Sequence, residues 1–108
     1  MKLLFICNQN KHRSLTAENL FKAKFDTQSA GLYNDVPVTQ RQLEWADVVF
    51  VMEDFQRSEI AKRFPSVYLA KRILSLNIPD EFSYGQPELE RLLVSRLTEA
   101  LSTHQTAS

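Results

Sequence analysis

Residues 7–14 read C-N-Q-N-K-H-R-S and hold the chain's only cysteine, Cys7, six positions ahead of Arg13. The stretch follows an apolar run, Leu3 to Cys7, and leads into residues with helical spacing, Ala17, Leu20, Phe21 and Phe25. A loop that leaves a strand and feeds a helix N-terminus turns successive backbone N–H groups inward. The helix dipole adds to the positive potential there, so the loop is a nest for an anion, and a phosphate would fit it. Asn8, Gln9, Asn10, Lys11 and His12 would form that nest, closed by Arg13 and Ser14. The field that holds a phosphate dianion also favours thiolate over thiol, which makes Cys7 a nucleophile. Arg13 can take two phosphate oxygens with one planar fork, a geometry lysine lacks. Ser14 is placed to donate a hydrogen bond to the sulfur. These residues alone leave two readings open: a nucleophile with its anion clamp, or a small buried hydrophobe that ends a strand before an exposed arginine.

The elements that must position this loop can be read from patterning. Leu3 to Cys7, Val48 to Met52 and Ile73 to Leu76 are short apolar runs without long alternation, as expected of strands covered on both faces; Thr27 to Ala30 is a weaker fourth. Helical signals lie between them. Thr39 and Gln42 form a capping box ahead of Leu43 and Ala46, Asp54 can cap a helix over residues 55–64, and Pro65 stops it. Gln86 and Pro87 open the last helix as N-cap and first residue. Its stripe of Leu89, Leu92, Leu93, Leu97, Ala100 and Leu101 is core. Strands alternating with helices predict a three-layer α/β/α domain around a four-stranded parallel sheet, with the phosphate-binding loop after the first strand. Ligands of such sheets sit beyond the carboxyl ends of the strands, where strand order reverses, and Cys7 is at such an end.

The 108 residues suit one domain, read as 1–104 with a polar C-terminal tail over 105–108, and "STHQTAS" has the composition of a frayed end. His104 in that tail needs no role. Thirteen basic residues balance 13 acidic ones, so net charge makes neither nucleic acid nor an anionic membrane the default partner. One cysteine can form neither an internal disulfide nor a cysteine-based zinc site, which fits a reducing cytoplasm. The apolar run after Met1 and Lys2 is too short for a signal peptide, and no segment approaches the roughly 18 apolar residues of a membrane span. The expectation is a soluble, cytoplasmic protein without a membrane partner.

"LLFICNQNKHRSLTAE" resembles the phosphate-binding signature of the low-molecular-weight protein tyrosine phosphatases, a C-x5-R-S motif after the first strand with A-E soon following. "QSAGL" at 28–32 resembles that family's S-A-G segment, "ADVVFVMEDFQRSEI" at 46–60 its third strand and following helix start, and "IPDEF" lies where its acid loop falls. The compact length, "EWADVVFVME" and "IPDEF" further resemble a short bacterial and archaeal branch of predicted protein tyrosine phosphatases. The resemblance implies that Cys7 is the nucleophile, Arg13 the phosphate clamp and Ser14 the thiolate's partner. It also implies that Asn10 braces the loop in a left-handed conformation, which asparagine tolerates better than most residues. Asp80 is then the general acid, with Glu81 in reserve.

Departures from the family pattern are informative. Gln9 stands where glycine is common and Leu15 where proline follows the serine. Pro79-Asp80 reverses the usual Asp-Pro order. His12 replaces a second cysteine found in many members, which exposes Cys7 to over-oxidation. Trp45 does not match the family's pocket aromatic and reads as core. Phe82 and Tyr84 are candidates for the pocket entrance. The segment "LYNDVPV" between Gly31 and Thr39 is shorter than the family's cleft wall, leaving Tyr33 and Asn34 as candidates to line a shallower pocket.

The activity expected from this resemblance is hydrolysis of a phosphomonoester through a cysteinyl-phosphate intermediate, without metal or cofactor. The partner is a phosphorylated substrate, a phosphotyrosine protein among the candidates, and inorganic phosphate is the product. Three alternatives accompany it: the same chemistry on a nucleotide, RNA or other small phosphoester; arsenate reduction with an external thiol; and a phosphate-binding module without catalysis.

Overall fold

The computed structural model describes the backbone of residues 1–106 and the side chains of residues 1–102. Four strands, β1 (Lys2–Cys7), β2 (Asp26–Gly31), β3 (Val48–Val51) and β4 (Arg72–Ser75), pair in the order β2-β1-β3-β4, all parallel. Five helices join and cover them: α1 (Arg13–Phe21), α2 (Gln40–Trp45), α3 (Asp54–Arg63), α4 (Pro65–Ala70) and α5 (Pro87–Thr106). The expected α/β/α architecture is therefore the one observed.

Alternation along the two central strands sorts the core into two halves. Leu3, Phe5, Cys7, Val48, Phe50 and Met52 face α1 and α5, where they meet Ala17, Phe21, Leu89, Leu93 and Leu97. Leu4, Ile6, Val49 and Val51 face α2, α3 and α4, against Leu43, Ile60 and Val67. Both sets are buried, which is why these strands read as continuous apolar runs. Phe5 stacks between Phe21 and Phe50, with ring centroids 5.8 and 5.7 Å away. Trp45 is partly buried against the second half of the core.

Several boundaries differ from the sequence reading. Phe25 lies past the end of α1; its N–H bonds the Phe21 carbonyl at 3.1 Å, and its ring packs on the core from the following turn. Asp54 is the first residue of α3 and Glu53 its N-cap. Pro65 ends α3 but also opens α4, a helix the patterning did not reveal, because the missing proline N–H suits a first helical position as well as it breaks a helix interior. α5 runs on to Thr106 through residues expected to fray. The His104 side chain and the end of the expected tail lie outside the described residues. No described helix is long and apolar enough to cross a membrane.

The order β2-β1-β3-β4 sends the chain to opposite sides of β1, so the carboxyl ends of β1 and β3 flank the crevice that parallel sheets use for ligands. Cys7 is the last residue of β1 and pairs with Gly31. Truncating Phe50, whose ring anchors this part of the sheet, is expected to cost about 3–5 kcal/mol. A urea titration of Phe50→Ala should show that loss as a lower midpoint.

Candidate active site

The segment 8–12 leaves β1 and wraps back to the first turn of α1 without regular structure. Its reversal is made at Asn10, with φ of +55°, the left-handed conformation in which asparagine is tolerated. Leu32 N–H bonds the carbonyls of Cys7 and Asn8, each at 3.0 Å, and Tyr33 N–H bonds Asn8 O at 2.8 Å. This approach favours a glycine at 31. A Cβ there would lie 3.0 Å from Asn8 O and inside contact distance of the Asn34 amide. Asn34 Oδ1 is buried without a protein partner, and Tyr33 is half exposed under the Arg63 guanidinium, 5.2 Å from the ring centroid. Neither lines the cleft over the loop.

That cleft has a volume of about 170 Å³ and is lined by Cys7, Asn8, Gln9, Lys11, His12, Arg13 and Asp80. Cys7 is buried, and its Sγ lies 2.9 Å from Ser14 Oγ. Ser14, fully buried behind the loop, also reaches Asn10 Oδ1 at 2.8 Å. A hydroxyl has one proton to give. With a thiol, Sγ–H donates to Ser14 and Ser14 donates to Asn10. With a thiolate, Ser14 turns its proton to sulfur and Asn10 must offer its amide N–H instead. The Cys7-Ser14-Asn10 chain can therefore serve either protonation state.

Arg13 is almost completely enclosed, 2 % exposed. Its Nη1 donates to Glu53 Oε1 and, at 2.8 Å, to the carbonyl of Ile78. A buried guanidinium needs such partners, since an unpaired charge there would be strongly destabilising. Committing Nη1 to the protein leaves Nε and Nη2 for two oxygens of a bound phosphate. Asp80 Oδ1 is 3.8 Å from Nε, on a side chain that is 63 % exposed. Glu81 is exposed and not part of the cleft; its N–H bonds the Pro79 carbonyl at 2.9 Å. The geometry thus brings Asp80, and not Glu81, to the loop. Phe82 packs into the core beside α5, and Tyr84 lies on the surface with its hydroxyl accepting from Asn19 Nδ2 at 2.8 Å.

Two contributors escaped the sequence reading. Glu53 supplies the carboxylate that neutralises Arg13. Gln56, fully buried, accepts from the N–H groups of Met52 and Glu53 at 2.8 and 2.9 Å, and its Nε2 donates to Asn8 Oδ1 at 2.9 Å. The E-x-x-Q spacing of 53–56 was the available signal, since glutamine at the third helical position reaches back to the cap. Its further reach to Asn8 spans 48 positions and has no local signature.

Solved structures give the same architecture. The YwlE arginine phosphatase from Geobacillus stearothermophilus superposes with a TM-score of 0.71 at 22% identity, covering 98% of this chain and 96% of that one. The tyrosine phosphatase AmsI of Erwinia amylovora gives 0.75 at 19% identity, over 94% and 91%. A low-molecular-weight protein tyrosine phosphatase from T. tengcongensis gives 0.70 at 22% identity, over 93% and 99%. The chain has the low-molecular-weight protein tyrosine phosphatase fold. No family model matches the sequence, and no curated protein does. Within this fold, Cys7, Arg13 and Asp80 converge on one cleft at the carboxyl ends of the strands.

Gln56→Ala would leave the part-buried Glu53 N–H without its partner, leave Met52 N–H only its longer bond to the Ile6 carbonyl at 3.2 Å, and free the Asn8 amide. An expected loss of about 1–3 kcal/mol should appear in urea unfolding. Faster amide exchange of residues 8–12 should accompany it, whereas a stable variant with an unchanged loop would deny Gln56 its bracing role.

Proposed function

We propose that this chain is a cysteine-dependent phosphomonoesterase working through a cysteinyl-phosphate intermediate. The observation that carries the reading is the cleft itself: a thiol on its floor, an enclosed guanidinium at its side and a carboxylate from a separate loop beside that guanidinium. Cys7 Sγ attacks phosphorus as the bond to the leaving oxygen breaks, and Asp80 gives that oxygen its proton. Arg13 and the N–H groups of residues 8–14 hold the charge that builds on the equatorial oxygens. Water then attacks phosphorus, its proton passes to Asp80, the S–P bond breaks, and Ser14 donates to the departing thiolate. Phosphate leaves and the enzyme is restored.

A phosphorylated protein is the substrate class proposed, since structures of this fold include both tyrosine and arginine phosphatases. A nucleotide or RNA-end phosphate is the second reading, favoured by Lys11 and His12 at the rim. A mechanism that depends on a free thiolate suits the reducing cytoplasm.

Rapid mixing with an activated aryl phosphate should give a burst of phenol stoichiometric with enzyme, and acid quenching should trap phosphate on Cys7. Cys7→Ser should lose about four orders of magnitude or more in kcat, and Arg13→Lys about two to three. A Cys7→Ser variant that retains hydrolysis would sink the mechanism. Phosphate binding without turnover would make the chain a binding module. Relative kcat/KM on phosphotyrosine peptides, phosphoarginine peptides, nucleotides and 5′-phosphorylated RNA ranks the substrates.

A further inference from the structure

The segment between β4 and α5, residues 76–86, carries Asp80 and is held at both ends. On the β4 side, Ile78 is fully buried, its N–H bonds Met52 O at 2.7 Å, and its carbonyl accepts from Arg13. On the α5 side, three contacts reach α1 and the residue just before it. Tyr84 N–H donates to His12 Nδ1 at 3.2 Å, Gly85 N–H to Thr16 Oγ1 at 3.0 Å, and the Tyr84 hydroxyl accepts from Asn19. His12 differs from the other two because it also belongs to the phosphate loop and lines the cleft. One side chain therefore joins the loop that would bind phosphate to the loop that would carry the acid.

We propose that His12 is a positioning residue whose neutral imidazole, by accepting the Tyr84 N–H, holds the Asp80 loop over the Cys7 loop. This rests on the phosphatase reading above. An acceptor at Nδ1 requires the tautomer protonated at Nε2. Protonation of the ring turns Nδ1 into a donor facing another donor, and the tether is lost. The ionisable neighbours are Lys11 in the same loop, Cys7 and Arg13 lining the same cleft, Asp80 on the facing loop, and Tyr84 itself. Asparagine can substitute in part, since its Oδ1 occupies nearly the position of Nδ1, accepts a hydrogen bond and does not titrate.

A leaving group that needs a proton depends on Asp80, and an activated aryl leaving group depends on it far less. The test compares kcat/KM, which reports transfer to Cys7 and not the later hydrolysis common to both substrates, for phenyl phosphate and for a dinitrophenyl phosphate in wild type, His12→Ala, His12→Asn and Asp80→Asn. His12→Ala should lower the phenyl-to-dinitrophenyl ratio by about tenfold or more, and His12→Asn should restore most of it. In an Asp80→Asn background, His12→Ala should leave the ratio where it is, as expected of two residues acting through one effect. Tyr84 amide exchange, measured by NMR, gives a readout independent of turnover. It should quicken in His12→Ala and return in His12→Asn. An equal drop on both substrates, or a Tyr84 amide indifferent to His12→Ala, overturns the proposal. If wild type hydrolyses neither substrate, the phosphatase reading falls, and the amide measurement alone decides whether His12 holds the loop.

Discussion

The enclosed guanidinium of Arg13 is the constraint around which the rest of the molecule is arranged. An arginine that is 2 % exposed in a domain of this size is tolerable only if its charge and its donors are met. Glu53 meets the charge from the start of α3, and Ile78 meets a donor from beyond β4. Those two partners come from the start of the helix after β3 and from the loop after β4, which the backbone already joins through Ile78 N–H to Met52 O, so Arg13 adds a side-chain link between them. Asp80 follows Ile78 by two residues and lies beside that guanidinium. The residue proposed to clamp a phosphate thus also helps to locate Asp80.

Strand order supplies the space for this. With β1 and β3 adjacent at the centre and their connections leaving on different faces, the carboxyl ends open a crevice that no helix fills. The loop of residues 8–12 closes its floor. Its conformation is held from below by the Cys7-Ser14-Asn10 chain, from one side by Gln56 and from the other by the backbone of residues 31–33. Each support comes from a different element, so the loop's shape depends on the whole sheet being formed. A loop rigid before its ligand arrives loses little entropy on binding it, which is how backbone N–H groups become an effective anion site.

Much of this was legible in the sequence because it is local. Apolar runs gave the two central strands to within a residue or two, and C-x5-R-S put the loop after the first of them. The left-handed backbone at Asn10 followed from the family resemblance, and asparagine is a residue type that tolerates it. What escaped was either ambiguous or distant. Pro65 has one meaning inside a helix and another at its start, and only the register of the chain decides between them. Phe25 kept helical spacing although the helix had ended, because a core accepts a phenyl ring from a turn as readily as from a helix. Gln56 and Glu53 act across 48 and 40 positions, where one sequence holds no pairing information. Asp80 and Glu81 are chemically equivalent neighbours. Only the turn at Pro79, closed by the Glu81 N–H on the Pro79 carbonyl, determines which of them meets Arg13.

α1 is the element to which these contacts lead. Ser14 in its first turn touches the Cys7 thiol, Arg13 opens it, and His12 at its cap with Thr16 and Asn19 bonds the segment that carries Asp80. Cys7, Arg13 and Asp80, the proposed nucleophile, clamp and acid, are thereby all tied to a single helix. A small domain cannot surround a site with thick walls of packed side chains, since too little of its surface is buried. Hydrogen bonds to a helix that the core already holds, through Ala17 and Phe21, achieve similar precision with fewer residues. The consequence is coupling. A change that tilts α1 moves Arg13 and strains both the Ser14 contact to Cys7 and the tethers of the Asp80 loop, whereas a change in any one tether alters the position of Asp80 while leaving Cys7 on β1 and Arg13 on α1 in register. Substitutions in this helix should therefore not combine additively, and their interaction energies map which tether sets which distance.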